Sequence, residues 1–324
     1  PDSTVFQIVR GQQIGVSVSA NDDGGEPSLT YTWSGTDSDG IAPSFSVNAS
    51  NAAKASTAFF EATGDYLLTV TISDAQGLAT SSSVNVRVLQ TASSIDVSPA
   101  TASVTVGEQR TFLATQLDQF GQLMSPQPSS FTWTVSGGGS INAAGTFTAT
   151  TAGGAYIVTA TAATLSGIAT VTVNPAIATI TLSDLTQTYD GNLRPVTAVT
   201  SPLNLALSIT YDGSTTAPTA VGSYMVIATV TDPNYQGSTS GTLIIQPRQF
   251  ALTVVASPLE GGSVTGGGTF VEGTPTPITA APAEGWQFTG WSGTGIADST
   301  SANTTISING NKTATALFEQ LTPY

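Results

Sequence analysis

Gly64-Asp65-Tyr66-Leu67-Leu68-Thr69-Val70-Thr71 decides the fold, because the chain writes it three times. It returns as Gly154-Ala155-Tyr156-Ile157-Val158-Thr159-Ala160-Thr161 and as Gly222-Ser223-Tyr224-Met225-Val226-Ile227-Ala228-Thr229. Each copy opens on Gly, which permits a tight corner. Tyr follows two residues on, and apolar residues then alternate with small polar ones. Alternation with period 2 predicts a half-buried strand. The copies lie at domain-sized intervals, and each is followed by one more strand: Ser83-Val84-Asn85-Val86-Arg87-Val88, Ala169-Thr170-Val171-Thr172-Val173, and Gly241-Thr242-Leu243-Ile244-Ile245. The motif therefore reads as the penultimate strand of one unit repeated three times, and the recurrence of the flanking strands argues against chance.

A Tyr at the entry to such a strand occupies the place of the tyrosine corner in Ig-like sandwiches, where the ring packs inward and the hydroxyl returns to nearby backbone. The rest of the chain agrees with an all-β reading. No stretch shows an apolar stripe at helical spacing, while Val, Ile, Thr and aromatic residues alternate almost throughout. The length of 324 residues suits several small sandwiches in series. Four segments are expected: residues 1–90, 91–174, 175–247 and 248–324.

Within residues 1–90, strands are predicted at Val5 to Val9, Ile14 to Ser19, Leu29 to Trp33, Ala58 to Glu61, Tyr66 to Ile72 and Val84 to Leu89. Tyr31-Thr32-Trp33-Ser34, Gly64-Asp65-Tyr66 and Thr71-Ile72-Ser73-Asp74-Ala75-Gln76-Gly77 together resemble PKD-type Ig-like domains. That resemblance implies a sandwich of cell surfaces or of secreted enzymes, without catalysis of its own. In the second segment, Ile95-Asp96-Val97-Ser98-Pro99 and Gly145-Thr146-Phe147-Thr148-Ala149 resemble the bacterial Ig-like family of intimin-type adhesins. In the third, Tyr189-Asp190-Gly191 and Asp232-Pro233-Asn234-Tyr235-Gln236-Gly237 resemble the MBG repeat of large bacterial surface proteins. The fourth lacks the Gly-x-Tyr strand. Its Gly285-Trp286-Gln287-Phe288-Thr289-Gly290-Trp291 and Asn309-Gly310-Asn311-Lys312-Thr313 resemble the divergent internalin B-repeat family. There Asn309-Gly310 is the best hairpin signal of the chain, since both residues tolerate positive φ. Trp286, Phe288 and Trp291 are expected to be core, each ring burying roughly 150–250 Å²; a sugar-stacking platform is the alternative.

Composition excludes several functions. Seven basic residues against 21 acidic ones give a net charge of -14, a surface that repels nucleic acid and anionic lipid. There is no Cys and no His, so thiolate chemistry, a Ser-His-Asp triad and imidazole-held zinc are all ruled out. No apolar run reaches the length of a membrane span. Pro1-Asp2-Ser3-Thr4 lacks the basic and apolar regions of a signal peptide, so the chain reads as a mature form or a piece of a longer protein. Its acids sit mostly beside Gly, Asn or Ser, where Asp makes turns, and not in the opposed pairs that a glycosidase needs. The expectation is no catalysis and no required cofactor.

Three sets of residues remain as candidates. Asn21, Asp22, Asp23, Asp37, Asp39 and Asp74 all fall in expected turns, and Asp37-Ser38-Asp39-Gly40 has the alternation of a calcium loop without the later Glu. Since Ca²⁺ takes about 6–8 oxygens, these are candidate ligands, with solvated turn Asp as the plain alternative. Val5-Phe6-Gln7-Ile8-Val9 is apolar on both faces, as befits either the first strand of its own sandwich or a strand added to a neighbour's sheet edge. Asn48, Asn303 and Asn311 satisfy the N-glycosylation pattern, and Ser/Thr-rich turns could accept O-linked sugar. Short joins at 89–92, 174–175 and 246–248, two of them with Pro, favour a semi-rigid string. The functional expectation is an extracellular or cell-surface structural unit of a stalk or fibre, its partners other copies of itself. The alternatives are an adhesin binding host or environmental glycan or surface protein, and an accessory region of a larger secreted enzyme.

Overall fold

The computed structural model describes residues 5–8 and 13–322. Among these there is no α-helix, only strands and three short 3-10 turns. The protein is all-β. Buried apolar side chains gather in four clusters, within residues 16–88, 95–173, 196–245 and 252–318. The chain itself divides into two compact units, Pro1–Ala176 and Ile177–Tyr324, so each unit holds two core clusters.

In the first segment the four-stranded sheet runs Val5–Ile8, Ala79–Val88, Gly64–Ser73, Thr30–Thr36. The three-stranded sheet runs Gln13–Ser17, Ala55–Phe59, Ser44–Phe45. Tyr31, Leu68, Val70 and Val86 of one layer meet Val16 and Ala58 of the other, which closes the sandwich. The strand expected at Ala58 to Glu61 lies earlier, because Ala58, not Phe59, faces the core and the chain turns away after Phe60. Ser44–Phe45 is too short to have shown a period.

Each segment repeats one device: its last long strand pairs in parallel with an early strand. Val5–Ile8 lies beside Ala79–Val88, Thr101–Thr105 beside Leu165–Asn174, Thr186–Thr188 beside Ser238–Gln246, and Gln249–Ser257 beside Lys312–Gln320. The three Gly-x-Tyr copies all pair antiparallel with that last strand. The corner expected of their Tyr is seen at Tyr66, which donates its hydroxyl to Ala62 O, and at Tyr224, which donates to Ala220 O, each at 3.0 Å. In the second copy the ring of Tyr156 lies so close to Gly138 that a Cβ there would sit 2.4 Å from it.

The fourth segment also has two layers. Gly268–Val271, Gln249–Ser257, Lys312–Gln320 and Trp286–Ser292 form one, Gly262–Thr265, Pro275–Pro282 and Asn303–Ser307 the other. The hairpin expected at Asn309-Gly310 is therefore corrected. Asn303–Ser307 and Lys312–Gln320 belong to different sheets, and neither Asn309 nor Gly310 has positive φ. The turn is an arch between layers, pinned by the fully buried Ile308.

The joins inside the two units are built differently. In the first unit, Gln119 donates Nε2 to Leu89 O at 2.7 Å and accepts Thr91 N–H at 2.8 Å. Gln90 answers in the other direction, donating to Leu123 O and Asp118 Oδ2 and accepting Ser125 N–H at 2.8 Å. Phe120, between these groups, packs on the core of the preceding sandwich. In the second unit the join at Arg248 is charged: its guanidinium lies 3.9 Å from Glu272, and its field reaches Asp190, which pairs with Arg194.

Candidate functional site

The candidate carboxylates divide between the two ends of the first sandwich. Thr30–Thr36 pairs Thr30 with Ser73 and Thr36 with Leu67. Asp74 thus emerges at one end of that strand and Asp37 at the other, roughly 20 Å away at the rise of a seven-residue strand. Asn21 and Asp22 line a hollow with Asp74. Asp23 shares the turn of Asp22, whose carbonyl accepts Gly25 N–H at 3.0 Å. Asp39 stays in the loop of Asp37. The five carboxylates do not make one site, and among the described residues no group of three or more His, Cys, Asp or Glu is placed to hold a metal ion.

What the carboxylates hold is backbone. Asp37 Oδ1 accepts the N–H groups of Asp39 and Ile41 at 3.0 and 2.8 Å; Asp74 Oδ1 accepts those of Gln76 and Leu78 at 2.9 and 2.8 Å. The same pattern recurs at Asp118, with Phe120 and Gln122, and at Asn142, with Ala144 and Thr146. Three residues after each stands a Gly with φ between 77 and 89°, at Gly40, Gly77, Gly121 and Gly145. An Asx side chain that satisfies two amides, followed by a left-handed Gly, closes a tight loop between strands. The spacing Asx-x-x-Gly was visible at all four places. In sequence the first reads as a calcium-loop alternation, and neither Asp118, which is buried inside the join, nor Asn142 is among the candidates.

Two electrostatic features stand out at the first sandwich. Burial pushes the Tyr66 hydroxyl up to about 12, and the nearby Asp37 carboxylate adds to the effect. Asp65 forms a two-pronged pair with Arg87, whose Nη2 donates to Oδ2 at 2.9 Å and whose hydrogen bonding holds the carboxyl below its ordinary range.

The glycosylation candidates differ in their freedom. Asn48 ties its amide to Trp33, accepting its N–H at 2.7 Å and donating to its carbonyl at 2.9 Å, and its Oδ1 also accepts Ala49 N–H at 2.9 Å. Asn311 Oδ1 accepts Ala251 N–H at 2.9 Å. Asn303 opens an exposed strand position opposite Thr279. Val5, Phe6 and Ile8 belong to the strand that pairs with Ala79–Val88, Phe6 opposite Val86; Val9 lies outside the described residues. Trp291 is 5% exposed and donates Nε1–H to Ser301 O, while Phe288 stacks edge-on to Trp291 and Phe318. Together with the half-buried Trp286 these rings belong to the core cluster and form no platform.

With this geometry in view, the second unit can be compared with known proteins. Residues 178–249 match the family model of the MBG domain. Residues 252–322 match that of the divergent InlB B-repeat domain. The MBG range takes in the third core cluster and its Gly-x-Tyr strand, and the B-repeat range takes in the arch at Ile308. These are tandem domains of the kind found in bacterial surface proteins. No curated protein matches the chain. Among solved structures, the protocadherin GammaB4 extracellular domain is 12% identical with a TM-score of 0.31, covering 98% of this chain and 65% of its own. The N-terminal eight Ig domains of the Down syndrome cell adhesion molecule are 11% identical with a TM-score of 0.27, covering 98% of this chain and 46% of their own. Domains 4 and 5 of the S-layer protein SbsC are 17% identical with a TM-score of 0.25, covering 48% of this chain and 78% of their own. No helix among the described residues is long and apolar enough to cross a membrane.

Proposed function

We propose that the chain is a non-catalytic structural unit of a bacterial extracellular stalk or fibre, and that copies join end to end by strand addition. The observation that carries the structural role is the run of two repeat models in series, at 178–249 and 252–322, within a chain built of two-layer β units throughout. Strand addition is supported by the parallel seat beside Ala79–Val88 that Val5–Ile8 occupies. A short strand held there by main-chain bonds can be supplied by its own chain or by a neighbour, since the ladder is the same in both cases. An open edge of that kind must be paired or blunted.

The test is deletion of residues 1–9, with particle size followed by light scattering and electron microscopy. The expected result is loss of end-to-end assembly with the later segments still folded. Polymers that persist in the deletion, or full-length chains that stay monomeric at high concentration, would overturn the strand-addition reading.

A further inference from the structure

The outward strand positions of the third segment's four-stranded sheet carry no charged side chain. On Gly222–Val230 the residues Ser223, Met225, Ile227 and Thr229 point away from the core, and on Ser238–Gln246 Thr242 and Ile244 do so. Register brings them into rows, Met225 opposite Thr242 and Ser223 opposite Ile244. Every outward position on these strands and on the flanking Leu207–Tyr211 and Thr186–Thr188 is Ser, Thr, Ile, Met or Gln. Met225 is 55% exposed, Ile244 43% and Ile227 40%. The nearest acid is the exposed Asp212, which follows Leu207–Tyr211 at the margin of the face, level with Met225, whose N–H its Oδ1 accepts at 2.8 Å.

We propose that this face is an isologous contact, sheet face against sheet face, between two copies of the chain lying side by side. The occupant follows from charge. Each copy carries a net charge of -14, so most approaches of one copy to another bring acids together. A face whose strands carry no ionised group, with one acid at its margin, is where two copies meet with the least repulsion and the least desolvation of charge. Its aliphatic residues sit among small hydroxyl side chains, which allow the close packing of stacked sheets. The equivalent face in the second segment has the same character, with Ile157 and Ile168 exposed among Thr residues, whereas that of the first carries the Asp65–Arg87 pair. Nine-residue central strands and four-strand width give roughly 450 Å² per copy, or about 900 Å² in all. That is below the size of a standard stable interface, so the contact is weak, reversible and dependent on concentration.

The contact is separate from strand addition, since its residues lie on the third segment. It predicts a distinctive salt response: added NaCl screens the repulsion between copies and strengthens pairing. The experiment is sedimentation equilibrium of the full-length chain at low and physiological NaCl, with electron microscopy to separate side-by-side pairs from end-to-end contacts. The variants are Ile227→Lys with Ile244→Lys and, as a β-branched control that keeps strand propensity, Ile227→Thr with Ile244→Thr. Lateral pairing should weaken at least about tenfold in the Lys variant and less in the Thr variant, with melting temperatures near the parent's, while end-to-end contacts persist. A parent chain without lateral pairs at millimolar concentration, pairing that falls with NaCl, or Lys and Thr variants that pair as the parent does, would overturn the proposal.

Discussion

The two joins inside the two units do the same work with opposite chemistry. Between the first and second sandwiches, Gln90 and Gln119 exchange amide hydrogen bonds with the backbone of each other's side, around the buried Asp118 and under Phe120. At Arg248 the join rests on charges that water reaches: Arg248 is 42% exposed and Glu272 36%. Hydrogen bonds that are fully satisfied and shielded rigidify a structure, and their loss leaves buried groups unpaired. Exposed ion pairs contribute little and are screened by salt. The first join should therefore merge its two sandwiches into one cooperative unit, while the second only biases the arrangement of its neighbours.

The largest effect is expected at Asp118. Its Oδ1 accepts two loop amides and its Oδ2 the amide of Gln90. Asp118→Ala removes the acceptor of three partly buried donors, which at about 1 kcal/mol for each should destabilise the first unit by about 2–3 kcal/mol. Asp118→Asn, which keeps an acceptor, should lose less. Thermal and urea melts followed by segment-resolved hydrogen exchange would show it. If Asp118→Ala left the first sandwich unchanged, the join would be ordinary surface.

An alkaline titration tests the same coupling from inside the first sandwich. The hydroxyl of Tyr66 has its folded pKa raised to about 12 from an ordinary value near 10. Its contribution is thus whole below pH 10 and is lost as pH rises towards 12, amounting to about 2–3 kcal/mol. Tyr66→Phe should flatten that part of the pH profile. If the join couples the sandwiches, strand Gly153–Ala162 of the second should lose exchange protection in the same window as Gly64–Ser73. Phe120→Ala, at a cost of about 2 kcal/mol for a partly buried ring, should let the two respond separately. Protection in the second sandwich that ignores pH up to 12 in the parent chain would break the comparison.

Much of this was legible in the sequence, for reasons that particular residues make plain. Gly-x-Tyr with period-2 alternation located Tyr66 and Tyr224 at their corners, because a strand with one buried face must alternate. The aromatic residues of 286–291 read correctly as core since their number matched what a small sandwich can bury. What failed was anything that depended on which layer a strand joins. Asn309-Gly310 has a hairpin's residues but connects opposite sheets, a fact fixed by pairing partners far along the chain. Asp37 and Asp74 look alike in sequence and sit at opposite ends, because antiparallel strands reverse direction between them. The join was hidden for another reason. Gln90, Gln119 and Asp118 are ordinary polar residues, and only their meeting across some thirty positions makes them a clasp.

The smallest expected effect belongs to the charged join, and its sign separates the two designs. Arg248 is shared between Glu272, 3.9 Å away, and the field it places on Asp190. Asp190 is held below the ordinary carboxylate range first by the N–H of Asn192 and then by Arg194 and Arg248. A carboxyl whose folded pKa is depressed contributes stability that is present above its unfolded pKa and lost as pH falls through the folded one. The second unit should therefore soften in acid below about pH 4, where the alkaline response of the first unit is absent. Arg248→Ala should cost under about 1 kcal/mol, as exposed pairs do, and raising NaCl from 50 mM to 1 M should reproduce most of that loss in the parent. The first join has no ion pair to screen, so the same salt change should leave its exchange protection unaltered or slightly raised. Segment-resolved hydrogen exchange at the two salt concentrations measures both on one sample. A salt-sensitive Gln90–Gln119 join beside a salt-indifferent Arg248 join would reverse the assignment of clasp and bias.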